Sequence, residues 1–294
     1  MTSKYFASGY SDIPMEKKDI IRELVYTQAD LLLPAKNTVV MKPVPVLEFK
    51  YDIPKITTIA PTKIEEGSRS GREHMEFWQK PVSLEKYQTT ITMTDEAKAR
   101  NMGNMQLSMT MQAVSTGMAQ AINNEIFAAL YAATGVHVHA GAKWYTDAAS
   151  PAYDVANICG QIFEATNIME TDLSNIQIYC PASMWSHLNM PKDTGLLYLT
   201  IKGWMEREQH VSIQPTRWLG GATGLKNGAL VVLPGEQTAH HLTYNGTDIP
   251  TAEHQREIGV GEEYLITRFF KTVVIPDSVN GTTTARIGWI TDIC

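Results

Sequence analysis

An α+β fold is predicted for this 294-residue chain on three observations. Apolar residues recur at helical spacing near the start and again around residues 152–169, and a long charge-free stretch of helix-favouring residues begins at Asn101. Short runs with period two, or of continuous β-branched and aromatic residues, then alternate with Gly, Asn, Asp and Pro turns. The composition, 44% hydrophobic with 20 Gly and 14 Pro, is that of a packed globular protein and excludes a disordered or collagen-like chain.

The first helix is expected after Asp12-Ile13-Pro14, with Glu16 in its opening turn and Ile20, Ile21, Leu24, Val25 and Leu31 to Leu33 on its apolar side. Pro34 ends it, because proline lacks the N–H a continuing helix needs. From Val39 to Ile59 the pattern becomes extended and carries three prolines, which suits an edge strand or arm and not a central strand. A charge-dense tip follows, Lys63-Ile64-Glu65-Glu66-Gly67-Ser68-Arg69-Ser70-Gly71-Arg72-Glu73, whose glycines give the turn freedom a long hairpin needs. The segment PVSLEKYQTTITMT alternates and is read as the returning limb. An isolated two-stranded ribbon is marginal in water, so a neighbouring subunit is expected to support it.

The stretch from Asn101 to Asn124 contains no Asp, Glu, Lys or Arg in 24 residues, and the helix is expected to continue through Tyr131. Met105, Met109, Val114, Met118, Ala121, Ile122, Glu125 and Leu130 are read as a broad apolar stripe. A helix facing water normally carries charge on its outer side, so this one is expected to be covered on most sides. Beyond it, residues 152–169 form a helix, Ile176–Cys180 a buried strand ended by Pro181, and 182–188 a short helix. GALVVLP, AHHLTYN, YLITRFFKTVVIP and ARIGWITDI read as strands.

Charge and cysteine usage narrow the function. The net charge is −6, and charged residues make up 19% of the chain, below the roughly 25% usual for soluble domains, which points to extensive association. Residues 1–100 hold 15 of the 25 basic side chains, whereas 101–250 hold 6 basic and 11 acidic ones. No basic stripe is present to neutralise phosphates, which argues against sequence-specific nucleic-acid binding. Cys159, Cys180 and Cys294 are widely spaced without a CxxC pair, favouring neither a disulfide framework nor a cysteine zinc site and fitting a reducing, intracellular origin. The first residues lack the apolar core of a signal peptide, and no run approaches a membrane span, so a soluble chain is expected.

Catalytic patterns are missing: there is no HExxH, GxSxG or GxxxxGK[ST], and Gly220–Lys226 lacks the Lys-Ser/Thr pair of a phosphate loop. His137 and His139 would share one face of a strand and, with His240 or His241, could be written as a metal site, but no further ligand is placed nearby in sequence. Glu65-Glu66 are better read as solvated charges able to meet an arginine on a partner than as an acid/base pair. Asn245-Gly246-Thr247 and Asn280-Gly281-Thr282 match a glycosylation pattern, and Asn-Gly is first a turn signal. No enzyme activity, metal or cofactor is expected.

The order of amino-terminal arm, long hairpin with a Glu-Glu-Gly tip, PVSLEKYQTTITMTDEAKAR, a long charge-poor helix and YLITRFFKTVVIPDSVNGTTTARIGWI resembles the major capsid proteins of tailed bacteriophages and related archaeal viruses, whose fold encapsulins share. The resemblance covers about residues 15–294. It implies an amino-terminal arm and helix over 1–46 and an extended hairpin loop over 47–80. It further implies a peripheral domain with a long spine helix over 81–135 and 251–294, and an axial domain over 136–250. The expected function is self-assembly, as pentamers and hexamers, into an icosahedral shell around double-stranded DNA held without sequence-specific contacts; the alternative is an encapsulin-type compartment around a cargo enzyme. The partners implied are copies of itself, with scaffolding, portal and decoration proteins, and no membrane. A fused scaffolding segment has little room ahead of the hairpin, so a separate scaffolding protein, or none, is expected. The place implied is the virion capsid, assembled in the host cytoplasm. Glu65, Glu66, Gly67, Arg69, Arg72 and Glu73 at the tip, with Met105, Met109 and Met118 on the helix, are the expected subunit-interface residues. Some relatives cross-link a loop lysine to an asparagine; nothing in this sequence assigns Lys63 and Asn280 those parts.

Overall fold

Two mixed sheets carry the fold, and the chain passes between them more than once. The structure, a computed structural model, describes residues 16–54, 77–100, 102–146, 149–166, 175–190, 200–217, 227–257, 261–278 and 281–294. In chain order the elements are α1 (Glu16–Leu31), β1 (Val40–Val44), β2 (Glu48–Pro54), β3 (Phe77–Ser83), β4 (Glu85–Thr94), α2 (Asp95–Ala99) and α3 (Gly103–Ala132). There follow β5 (Thr134–His139), α4 (Pro151–Thr166), β6 (Gln177–Pro181), α5 (Trp185–Leu188), α6 (Ile201–Gln209) and β7 (Ser212–Thr216). The chain ends with β8 (Ala229–Val232), β9 (Ala239–Tyr244), β10 (Ala252–Glu257), β11 (Gly261–Val274) and β12 (Thr284–Thr291). The first sheet runs β1-β9-β11-β10 with β4 also on β11, the second runs β5-β12-β8-β6-β7, and β2 and β3 form a separate ribbon.

The helix α1 forms where periodicity placed it, burying Ile21, Val25 and Ala29 at four-residue steps. It stops three residues short of Pro34, so of the three leucines only Leu33 is buried, while Leu31 is 81% exposed. Its buried side faces α3, and the uncharged polar residues of α3 serve that contact. Ser115 Oγ donates to Gln28 Oε1 at 3.1 Å. Asn123 donates from Nδ2 to the Leu32 carbonyl at 3.3 Å and accepts from the Ala35 amide at 3.4 Å. Asparagine and serine in a helix centre are thereby satisfied without charge.

The hairpin departs from expectation. Its returning limb is β3, paired with β2 from Glu48↔Ser83 to Pro54↔Phe77. The alternating segment after it, β4, instead joins the first sheet, paired with β11 from Glu85↔Phe270 to Thr94↔Gly261. Period two reports that one face is buried, here through Ile91 and Met93, and does not specify the partner strand. The proline-bearing β1 lies at the edge of its sheet, paired only with β9 among the described residues, as Pro43 requires.

The sheets do not follow a division at residue 250. β9 lies inside the first sheet, between β1 and β11, while β12 crosses into the second, between β5 and β8. Ile287, Gly288, Trp289 and Ile290 of β12 are all buried, as in a central strand covered on both faces. Helix α4 covers it so closely that a Cβ on Gly288 would stand 2.6 Å from Ile158 Cδ1. β7, β10 and α6 are not among the elements expected from the sequence; α6 is nine residues long and apolar on one side, and β7 carries Pro215.

One glycine limits the first sheet. Gly261 has φ +143°, and a Cβ there would overlap the Met93 carbonyl where β11 meets β4. Gly261→Ala is therefore expected to destabilise the subunit by at least ~1–3 kcal/mol from backbone strain alone. The check is a lower urea midpoint at unchanged slope; an unchanged midpoint would show that this junction relaxes freely.

Candidate assembly surface

The 30-residue helix α3 separates the subunit's core from an uncovered face. Leu107, Met111, Met118, Ile122, Ile126 and Leu130 are buried against α1 and the first sheet. Met105 and Met109 point the other way, 52% and 63% exposed, and Met102 beside them is 45% exposed. The expected stripe is thus rotated in its first half. Met105 and Met109 are no less apolar than Leu107 and Met111, and without charges nothing in the sequence marks which side faces water. Met118, expected at the interface, is 6% exposed and belongs to the subunit's own core, so it has almost no surface left to offer a neighbour.

The outer face is neutral along its length: Ser108, Gln112, Ala113, Gly117 and Gln120 are exposed beside the two methionines. Ala113, Gly117 and Ala121 recur every four residues and leave a shallow shelf. Their four-residue spacing is the sequence signal that would have identified them. Two grooves of about 420 Å³ each lie between α3 and the β4–α2 segment. One is floored by Met105 and Met109 and rimmed by Glu96 and Arg100. The other runs from Val114 and Gly117 to Tyr87 and Thr89 of β4 and contains no charged residue. β4 pairs with β11 along one side only among the described residues, which leaves its other backbone edge beside these grooves.

The far half of α3 is held by a buried polar cluster. Glu125 accepts from the Thr272 amide at 2.7 Å and from the Thr272 hydroxyl, and lies 3.8 Å from His241. Burial raises the Glu125 carboxyl above the usual carboxylate range. Burial, aided by the Arg268 charge, pushes His241 down to about 3, so the imidazole is neutral at pH 7. Arg268 in turn meets Asp30 of α1 at 2.9 Å and lies 4.8 Å from the Tyr26 ring centre. These contacts tie the far half of α3 to β11, and β11 to α1.

Other candidate residues are not brought together. His137 and His139 are exposed on one side of β5 in the second sheet, while His240 and His241 are buried on β9 in the first. Among the described residues no group of three His, Cys, Asp or Glu could hold a metal ion, and no helix is long and apolar enough to cross a membrane. Glu65, Glu66, Gly67, Arg69, Arg72 and Glu73 lie outside the described residues, as do Lys63, Asn280 and the 220–226 glycine-rich segment.

No family model matches the sequence, and no curated protein matches it. Solved structures do match. The virus-like particle from Pyrococcus furiosus superposes with a TM-score of 0.61 at 9% identity, covering 95% of this chain and 100% of that one. The capsid of Myoviridae phage XM1 gives 0.59 at 10% identity, covering 87% and 89%. This chain has the tailed-phage major capsid fold. The same capsid fold appears in the holo-SrpI encapsulin complex from Synechococcus elongatus, at a TM-score of 0.51 and 11% identity over 98% of this chain and 92% of that one. At such identities the likeness shows the fold alone.

Proposed function

We propose that this chain is a major capsid protein that self-assembles, as pentamers and hexamers, into an icosahedral shell enclosing double-stranded viral DNA. The observation that carries this reading is the uncharged outer face of α3, with Met105 and Met109 more than half exposed beside a one-sided β4. A lone soluble subunit gains nothing from that face. Covering the exposed part of each methionine contributes ~1 kcal/mol per contact, and a closed shell repeats each contact many times. The net charge of −6 suits a wall that must release packed DNA. The ribbon β2–β3 leads toward residues 55–76, which in this reading form the extended loop lying across the next subunit. The carboxylates and arginines of its tip would set register more than affinity. The protein would then reside in the virion capsid after assembly in the host cytoplasm.

The encapsulin likeness, over 98% of the chain, supports a second reading as a compartment around a cargo enzyme. Negative-stain microscopy of the purified protein, followed by analysis of what the particles contain, separates the two. Closed particles with DNA support the capsid, closed particles with a co-purifying enzyme support the compartment, and a monomer under all conditions overturns both. Deleting residues 64–73 is expected to leave a soluble, folded subunit that closes no shells; normal particles from that variant would remove the loop from the assembly mechanism.

A further inference from the structure

Where the β2–β3 ribbon rests on the first sheet, four polar side chains from four separate segments meet. Tyr51 of β2 lies 2.6 Å from His240 Nδ1 on β9. His240 is 2% exposed, and its Nε2 lies 3.1 Å from Glu236 Oε2 in the turn before β9. Lys42 of β1 reaches the same carboxylate at 2.7 Å, and its charge acts on the Tyr51 hydroxyl.

The chemistry of the partners assigns every proton. A carboxylate only accepts, so Nε2 carries hydrogen and donates to Glu236, whose ionised form Lys42 favours. Nδ1 is then the bare nitrogen and accepts the Tyr51 hydroxyl. Adding a proton to Nδ1 removes the acceptor of the tyrosine hydroxyl and places a second cation within reach of the Lys42 charge.

We propose that this cluster is a proton-operated latch on the base of the ribbon, closed while His240 is neutral and released when it is protonated. Apolar residues continue to hold the ribbon on the sheet after release, with Ile53 and Val82 packed on Leu242, Phe269 and Val273, so the latch governs how readily the base lifts and not whether the subunit folds. The charged groups on the faces around His240 are Lys42 and Glu236, then Lys271 with Glu85 two positions along β11, and Lys80 opposite Tyr51 on β3. Burial, reinforced by Lys42 and opposed by Glu236, lowers the His240 pKa below the ordinary histidine value. The open ribbon therefore binds more protons than the closed one, and the closed form loses stability as pH falls below about 6.5. Each pH unit below that value can raise the opening equilibrium by up to about tenfold.

The test is amide hydrogen exchange of residues 48–54 and 77–83 in full-length free subunits between pH 7.5 and 4.5, corrected for intrinsic exchange and referenced to β11. The wild type is expected to lose about tenfold or more of its ribbon protection across that range while β11 changes little. Tyr51→Phe, which keeps the ring and removes the hydroxyl, should start with a less protected ribbon and show no such pH step. His240→Gln gives the same readout with a side chain that cannot take a proton. Ribbon protection that is flat in the wild type, or an identical pH step in Tyr51→Phe, overturns the latch. Because free subunits are measured, this outcome is independent of what a shell encloses or whether one forms.

Discussion

Met105→Glu combined with Met109→Glu should give a folded subunit that forms no closed particles. Both side chains are more than half exposed on α3, so the carboxylates meet water in the free subunit and cost it less than about 0.5 kcal/mol. Against a neighbouring apolar surface each would have to be desolvated without a partner, at an effective cost of several kcal/mol per ion. Even ~4 kcal/mol per contact weakens association by about a thousandfold, and a shell applies that factor at each repeated interface. Sedimentation velocity should show free subunits where the wild type gives large particles, with thermal unfolding unchanged. Met118→Glu is the control that separates the two sides of the helix. That residue is 6% exposed in the core, so its carboxylate should unfold the subunit instead. Wild-type particles from the double variant would show that the neutral face of α3 is not an assembly surface.

The difference between those methionines marks where the sequence stops being informative. α1 was legible because Ile21, Val25 and Ala29 alternate with charged residues that identify the wet side. β8 was legible as a continuous apolar run, and β11 and β12 because β-branched and aromatic residues are gathered between turn residues. The length of α3 could be read from its composition, but its rotation could not, since polar and apolar sides were not distinguished by charge. The partner of β4 could not be read from its alternation, which fits β3 or β11; only the family resemblance, which groups 81–135 with 251–294, pointed to a pairing more than 160 residues distant in sequence. The histidine pair on β9 was visible as a motif but not as a site, because the identities of Tyr51, Glu236 and Thr272 as its partners emerge only from the folded sheet.

Glu125 offers the second large effect, because it is the one acidic or basic side chain on α3 and it is buried against β11. Glu125→Ala removes the acceptor for both the amide and the hydroxyl of Thr272, itself 6% exposed. The hydroxyl can turn to His241 Nδ1, 3.0 Å away, whereas the buried amide is left unpaired at a cost of about 1–3 kcal/mol, so a loss of ~1–3 kcal/mol is expected, read as a lower urea midpoint. Glu125→Gln keeps a carbonyl for the amide and should lose less than about 1.5 kcal/mol. Their pH dependence separates a charge effect from a packing effect. Burial raises the Glu125 pKa above its unfolded value, so its contribution is complete in acid and declines as pH rises through the folded pKa. His241, pushed down to about 3, acts oppositely: its contribution grows from about pH 3 to about 6.5, and His240 shares that sign. In the wild type the two trends oppose each other above about pH 4.5, until the Glu125 carboxyl has ionised in the fold. Glu125→Gln removes one of them, so the stability of that variant should climb more steeply with pH across the same window. Equal slopes for wild type and Glu125→Gln would mean that the carboxyl at the centre of α3 does not titrate within the fold, and that the anchor between helix and sheet is held by shape alone.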